Sequence, residues 1–99
     1  MSSPRKRALV TGGSGGIGAA ICRRLARDGL HVIVHANRNL AAAQALVQEI
    51  QAQGGAAQAV AFDVTDAAAT AGVLEALLLE GPIQVVVNNA GIHDDAVFP

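Results

Sequence analysis

Five of the seven residues from Gly12 to Gly18 are glycine, with only Ser14 and Ile17 between them. The cluster follows an apolar run, Arg7 to Thr11 (RALVT), and precedes a segment with apolar residues at helical spacing. Glycine loses more conformational freedom on folding than any other residue. A cluster is therefore kept where the backbone needs positive φ or where another group must come close to the main chain. A buried strand, a glycine turn and a helix in immediate succession restrict the chain to a strand-turn-helix unit with an approachable backbone at its junction.

The remaining sequence repeats that unit. Gly16 to Asp28 carries Ile17, Ala20, Ile21 and Leu25 at helical spacing and stops at Gly29, a C-terminal capping glycine. His31 to His35 (HVIVH) reads as a second strand. Leu40 to Gln53, with Ala43, Leu46, Val47 and Ile50 on one face, reads as a second helix ended by Gly54-Gly55. Ala56 to Phe62 is a third strand. Asp66 caps a third helix running to about Glu80, with Val73, Leu74, Leu77 and Leu78 as its buried stripe, and Gly81-Pro82 ends it before a fourth strand, Ile83 to Asn88. The order β-α-β-α-β-α-β implies an α/β fold: parallel strands, right-handed crossovers and a doubly wound parallel sheet covered on both faces. No repeat, linker or internal domain boundary interrupts residues 1–99.

Composition narrows the function. At 99 residues and 52% hydrophobic the chain can bury a core, and with only Phe62 and Phe98 as aromatics that core is alanine-rich, suited to thin helices close to a sheet. A formal net charge of −1 gives no footprint for nucleic acid or an anionic membrane, and Arg5, Lys6 and Arg7 read as a solvated lead-in. The single cysteine, Cys22, reads as a small buried hydrophobe, consistent with a reducing compartment. The glycines interrupt any signal-peptide apolar region and no stretch approaches a membrane span, so the expected location is cytoplasmic.

The glycines fall at the carboxyl end of the first strand and the amino end of the first helix. There free N–H groups and the positive helix end can meet a phosphate. Two registers fit: Gly13-Ser14-Gly15-Gly16-Ile17-Gly18 matches G-x-G-x-x-G, and Thr11-Gly12 with Gly16-Ile17-Gly18 matches T-G-x-x-x-G-x-G. The second is the pattern of the short-chain dehydrogenases and reductases. Asn88-Asn89-Ala90-Gly91, directly after the fourth strand, resembles the N-N-A-G motif of that family, and Asp63-Val64 resembles its third-strand pair. The stretches VIVHANRN and NAGIHDDAVFP are similar to reductases grouped with the 3-oxoacyl-acyl-carrier-protein reductases. The resemblance covers essentially all 99 residues. It implies a Rossmann sheet with strand order 3-2-1-4, an Asp63 that faces the adenine amino group, a Val64 against the ring, and Asn89, Ala90 and Gly91 beside the ribose. Gly12, Gly13, Ser14, Gly15, Gly16, Ile17 and Gly18 would cradle the pyrophosphate. A branched side chain at Gly16 or Gly18 is expected to abolish nucleotide binding and spare the fold.

Charge selects the nicotinamide cofactor. NAD-selective sites place an acid at the end of the second strand, where it bonds the ribose 2′-OH and repels a 2′-phosphate. Here the stretch reads His35-Ala36-Asn37-Arg38-Asn39. Arg38 offers a charge-assisted contact to phosphate and Asn37 a neutral donor, which favours NADP(H); the other reading of Arg38 is a solvated loop residue. Many NADP-dependent relatives carry a basic residue where this chain has Gly15, which leaves Arg38 as a single basic partner. His31 and His35 read as structural, and His93 lies past the N-N-A-G turn near the substrate approach. No histidine, cysteine or acidic cluster is spaced for a metal, Asp94-Asp95 included. Gly12-Gly13-Ser14-Gly15-Gly16 has the letters of a nucleophile elbow, with no triad partners in order behind it.

In the resembled family catalysis belongs to a Ser, a Tyr and a Lys, with an Asn from the preceding helix. This sequence has no Tyr, and its one lysine is Lys6. No catalytic residue is therefore assigned. The chain is expected to be the N-terminal, cofactor-binding part of an NADP(H)-dependent carbonyl reductase acting on a small-molecule or acyl-carrier-linked keto substrate, as in fatty acid biosynthesis. The longer protein would be a homo-oligomer, and the isolated chain would self-associate through the edge strand Ile83 to Asn88. A reading of a different class is a natural nucleotide-binding or assembly module without catalysis. A domain for S-adenosylmethionine is disfavoured by the missing acid after the second strand.

Overall fold

The computed structural model describes residues 5–89. Seven elements alternate: β1 (Arg7–Thr11), α1 (Gly16–Arg27), β2 (His31–Ala36), α2 (Leu40–Ala52), β3 (Ala56–Ala61), α3 (Ala67–Leu79) and β4 (Val85–Asn88). They form one parallel sheet in the order β3-β2-β1-β4. The Rossmann order expected from the sequence is the order found. β3 ends one residue earlier and β4 starts two residues later than the apolar runs suggest. Phe62 and Ile83 lie outside the ladder and serve the core.

The alternation of strand side chains separates two cores. Val10, Val32, Val34, Ala36 and Ala57 face α1 and α2, which contribute Ala19, Cys22, Ala43, Leu46, Val47 and Ile50. Leu9 and Ile33 face the opposite way, toward Leu77 of α3, with Val60, Val73, Leu74 and Ile83 around them. Helices thus cover both faces. The crossover through α3 carries the chain to the other side of β1, so the strand order reverses between β1 and β4 and their carboxyl ends lie side by side at the switch point, where such sheets have their crevice.

Two helix faces differ from the sequence reading. On α1 the buried residues are Gly18, Ala19 and Cys22, while Ile17 is 65% exposed beside the glycine turn. On α3 only Leu77 is fully buried, Val73 and Leu74 are half-buried, and Leu78 is 53% exposed. Both helices are rich in alanine or leucine around their circumference, so apolar spacing alone does not single out the core face.

Arg7 corrects the reading of a solvated basic lead-in. Its side chain is buried, and Nη1 donates to the carbonyls of Leu77 at 2.7 Å and Gly81 at 2.5 Å. These are carbonyls at the C-terminal end of α3, which a cation stabilises both as donor and against the helix dipole. The ion pair to the exposed Glu80, at 3.4 Å, adds little. Arg7 also spans the two core-forming units through its backbone: its N–H donates to Gln84 Oε1 at 2.8 Å and its carbonyl accepts from the Gln84 N–H at 3.0 Å. Replacing Arg7 with Met keeps the apolar stem and deletes the donors. The expected cost is about 2–3 kcal/mol, read as a lower urea midpoint with an unchanged slope. An unchanged midpoint would mean that water serves these carbonyls equally well.

Candidate functional site: a phosphate-approachable turn

The turn between β1 and α1 is shaped by contacts that only glycine permits. Gly12 has φ +64° and Gly16 φ +44°, in the left-handed region. A Cβ on Gly18 would lie 2.2 Å from the Gly12 carbonyl oxygen and 2.7 Å from Asn89 Nδ2. A Cβ on Gly13 would meet Cys22 Sγ at 2.9 Å and the Val10 carbonyl at 3.0 Å. Gly15, by contrast, has nothing within 4 Å of such a Cβ. Gly13 and Gly18 thus serve close packing of α1 on β1, and Gly15 and Gly16 line the open side. Burial pushes the Cys22 thiol up to about 12, which keeps it protonated and inert beneath the turn.

The amino end of α1 is unlike the other two. Asn39 Oδ1 accepts from the Ala42 N–H at 3.1 Å to cap α2, and Asp66 Oδ1 accepts from the Ala69 N–H at 3.0 Å to cap α3. α1 begins after Gly15, which has no side chain to offer, and its first turn holds no acidic residue. Its first N–H groups are therefore left for an acceptor from outside the helix. Ser14 is half-buried and Gly15, Gly16 and Ile17 are exposed at this end.

The other expected residues within the described range lie at or just after the carboxyl ends of the strands. Thr11 Oγ1 donates to Asn88 Oδ1 at 3.0 Å, and Asn89 Nδ2 donates to the Gly12 carbonyl at 3.1 Å, so β4 holds the turn from one side. Asn37 and Arg38 follow β2 and are exposed, and no other described residue hydrogen-bonds to the Arg38 guanidinium. Asp63 follows β3. Its Oδ1 accepts from the Thr65 N–H at 2.9 Å and from Thr65 Oγ1 at 2.7 Å. Those two hydrogen bonds, helped by the charge of Arg38, hold its carboxyl below the usual range. Val64 is 43% exposed beside it. Ala90 and Gly91 lie outside the described residues, as do His93, Asp94 and Asp95.

One residue near the site was read from sequence only as structural. His35 is completely buried, and its ring joins two loops: Nδ1 accepts from the Gly12 N–H at 2.9 Å, and Nε2 faces the Phe62 carbonyl at 2.7 Å. Alternation along β2 turns it inward with Ile33, and nothing in its own segment marks the partners. His31, on the same strand, pairs with Gln58 Oε1 at 2.8 Å and stays away from the turn.

Elsewhere, a cavity of about 270 Å³ lies at the opposite end of the strands, lined by Arg5, Arg23, Arg27, Ile50 and Gln53 among others. Arg23 is held there by Glu49 at 2.6 Å. It brings together no nucleophile and base. Among the described residues no His, Cys, Asp and Glu group could hold a metal, and no helix is long and apolar enough to cross a membrane.

A parallel sheet in this order, with an uncapped helix after a glycine turn, is a Rossmann-type architecture. Residues 6–99 match the family model for short chain dehydrogenase, and the chain belongs to that family. It is 46% identical over 94 residues to an oxidoreductase of Methylorubrum extorquens, covering 94% of this chain and 38% of that protein. Identity is 42% with an acetoacetyl-CoA reductase of an Acinetobacter species, over 97% of this chain and 40% of the relative. It is 40% with the 3-oxoacyl-[acyl-carrier-protein] reductase FabG of Staphylococcus aureus, over 91% of this chain and 37% of the relative. A metagenomic short-chain oxidoreductase solved in complex with NADP superposes with a TM-score of 0.78 at 36% identity, over 82% of this chain and 37% of that one. The chain thus spans well under half the length of these relatives.

The Gly18 geometry corrects the expectation that substitution there spares the fold. Gly18→Ala is expected to lower stability by about 2–4 kcal/mol, because neither the Gly12 backbone nor Asn89 can withdraw easily. Gly15→Ala is expected to stay within about 0.5 kcal/mol of wild type. Thermal unfolding compares the two; equal melting temperatures would contradict the packing role of Gly18.

Proposed function

We propose that this chain is the adenosine-binding part of an NADP(H)-dependent carbonyl reductase of the 3-oxoacyl type. The observation that carries the reading is the amino end of α1, which lacks a side-chain cap while α2 and α3 each have one. The first-turn N–H groups donate to the pyrophosphate oxygens, and the glycines let the group reach the backbone. Arg38 and Asn37 meet the ribose 2′-phosphate with no acid at the end of β2 to repel it. Asp63 stays ionised near neutral pH and keeps Oδ2 as an acceptor toward the adenine amino group, with Val64 against the ring. Asn89, Ala90 and Gly91 border the ribose. The dinucleotide fits this donor set, and when bound its nicotinamide supplies a hydride to a carbonyl carbon.

The substrate class rests on the names of two relatives, an acetoacetyl-CoA reductase and a 3-oxoacyl-[acyl-carrier-protein] reductase. In this reading the keto substrate and the proton-donating Tyr, with its Ser and Lys, belong to a longer protein. Calorimetry tests the cofactor. Adenosine 2′,5′-bisphosphate is expected to bind about tenfold more tightly than AMP, and Arg38→Ala to erase the difference. Equal affinities in wild type would exclude selection for NADP.

The second part of the reading concerns association. β4 is one of the two sheet edges among the described residues, and Val86 is 64% exposed on it. An uncharged valine edge with open N–H and C=O groups recruits another strand, so the isolated chain associates with a second copy of itself. Sedimentation velocity is expected to show concentration-dependent association that Val86→Lys weakens. A concentration-independent monomer in wild type would overturn this.

A further inference from the structure

We propose that His35 is a positioning residue that fixes the phosphate-binding turn relative to the adenine-side loop. The inference rests on the nucleotide-binding reading for its purpose and on geometry for its mechanism. Gly12 begins the turn. Its N–H donates to His35 Nδ1 at 2.9 Å, and its carbonyl accepts from Asn89 Nδ2 at 3.1 Å, so both polar groups of this one residue are held by side chains. The next residue is tied to the same strand, since the Gly13 N–H donates to the His35 carbonyl at 2.8 Å. On its other side the imidazole reaches the Phe62 carbonyl at 2.7 Å, immediately before Asp63 and Val64, and the Phe62 N–H donates to the Ala36 carbonyl at 3.2 Å.

These partners dictate the tautomer. The Gly12 N–H can only donate, so Nδ1 must carry a lone pair; the Phe62 carbonyl can only accept, so Nε2 must carry the proton. The neutral ring with its proton on Nε2 is the one form that satisfies both loops. Phe62 packs against the imidazole with ring centroids 4.2 Å apart and a tilt of 48°, which fixes the ring plane. His35 has no exposed surface, so its own ring nitrogens depend on these two partners. One rigid side chain therefore sets the distance between the residue that starts the pyrophosphate turn and the residue that precedes Asp63. A ligand that spans both loops finds them already at their working separation, without ordering them as it binds.

Two variants separate the roles. His35→Phe keeps an aromatic ring and removes both bonds. His35→Asn places Oδ1 where it can accept from Gly12 and is too short to reach Phe62. NADP is titrated into the 99-residue chain by calorimetry, and the exchange of the Gly12 amide and the ring nitrogen shifts of His35 are followed by NMR. The ring is expected to show unprotonated Nδ1 and protonated Nε2. His35→Phe is expected to weaken NADP about tenfold and speed Gly12 exchange by a similar factor, and His35→Asn to restore slow Gly12 exchange and recover part of the affinity. A folded His35→Phe with wild-type NADP affinity and wild-type Gly12 exchange overturns the proposal, as does the opposite tautomer. Should His35→Phe not fold, fast Gly12 exchange in a folded His35→Asn overturns it and slow exchange supports it. A wild-type chain that binds no NADP removes the cofactor reading alone; the exchange and tautomer measurements then decide the clasp.

Discussion

The arrangement depends on how closely α1 can approach the carboxyl end of β1. With no Cβ at Gly18, the helix sits against the Gly12 carbonyl at a separation that any side chain would forbid. The absence of a Cβ at Gly13 lets Cys22 fill the space beneath the turn. That approach aims the first turn of α1 at the crevice between β1 and β4. It also brings the turn within reach of Asn89 from β4 and His35 from β2. A helix displaced outward by one methyl group would lose the packing of Ala19 and Cys22 on Val10 and Val34, and with it the orientation of its own N–H groups.

Around this contact the strands divide the work by position. β1 and β2, in the middle of the sheet, are buried almost throughout and supply the two cores. Their carboxyl ends, with those of β3 and β4, carry the polar groups: Thr11, Asn37 and Arg38, Asp63, Asn88 and Asn89. The amino ends carry fastenings. Arg7 joins β1 to the end of α3, and the hydrogen bond between His31 and Gln58 joins β2 to β3. The exposed polar residues thus gather at the carboxyl ends, the end at which ligands bind in open α/β sheets, while side-chain fastenings occur at both ends.

Seven elements and their order were legible in the sequence because strong local signals bound them. Glycine turns follow β1, α1 and α2, Asp66 carries a capping side chain, and Gly81-Pro82 ends α3. The glycine turn and the exposed Arg38 lie next to such signals, whereas the Asp63 position came from the resemblance of Asp63-Val64 to a family pair. What sequence did not show depends on groups distant along the chain. The burial of Arg7 requires the carbonyls of Leu77 and Gly81. The span of His35 requires Gly12 on one strand end and Phe62 on another. The exposed side of Ile17 and Leu78 escaped because α1 and α3 present apolar residues in several directions, and only the position of the sheet selects among them.

The uncapped end of α1 has a thermodynamic consequence. α2 and α3 carry their caps in their own sequence. α1 obtains its acceptors from solvent or from whatever anion occupies the turn, so a bound phosphate group completes a helix as well as a site. Occupancy and folding are then linked quantities: a ligand that binds only the folded chain adds stability that grows with the logarithm of its concentration above its dissociation constant, about 2.7 kcal/mol at a hundredfold excess. Glycine in place of a capping Ser, Asn or Asp leaves that part of the helix without an acceptor from the polypeptide. In the proposed reading, the chain without nucleotide is accordingly the less stable form of the same fold.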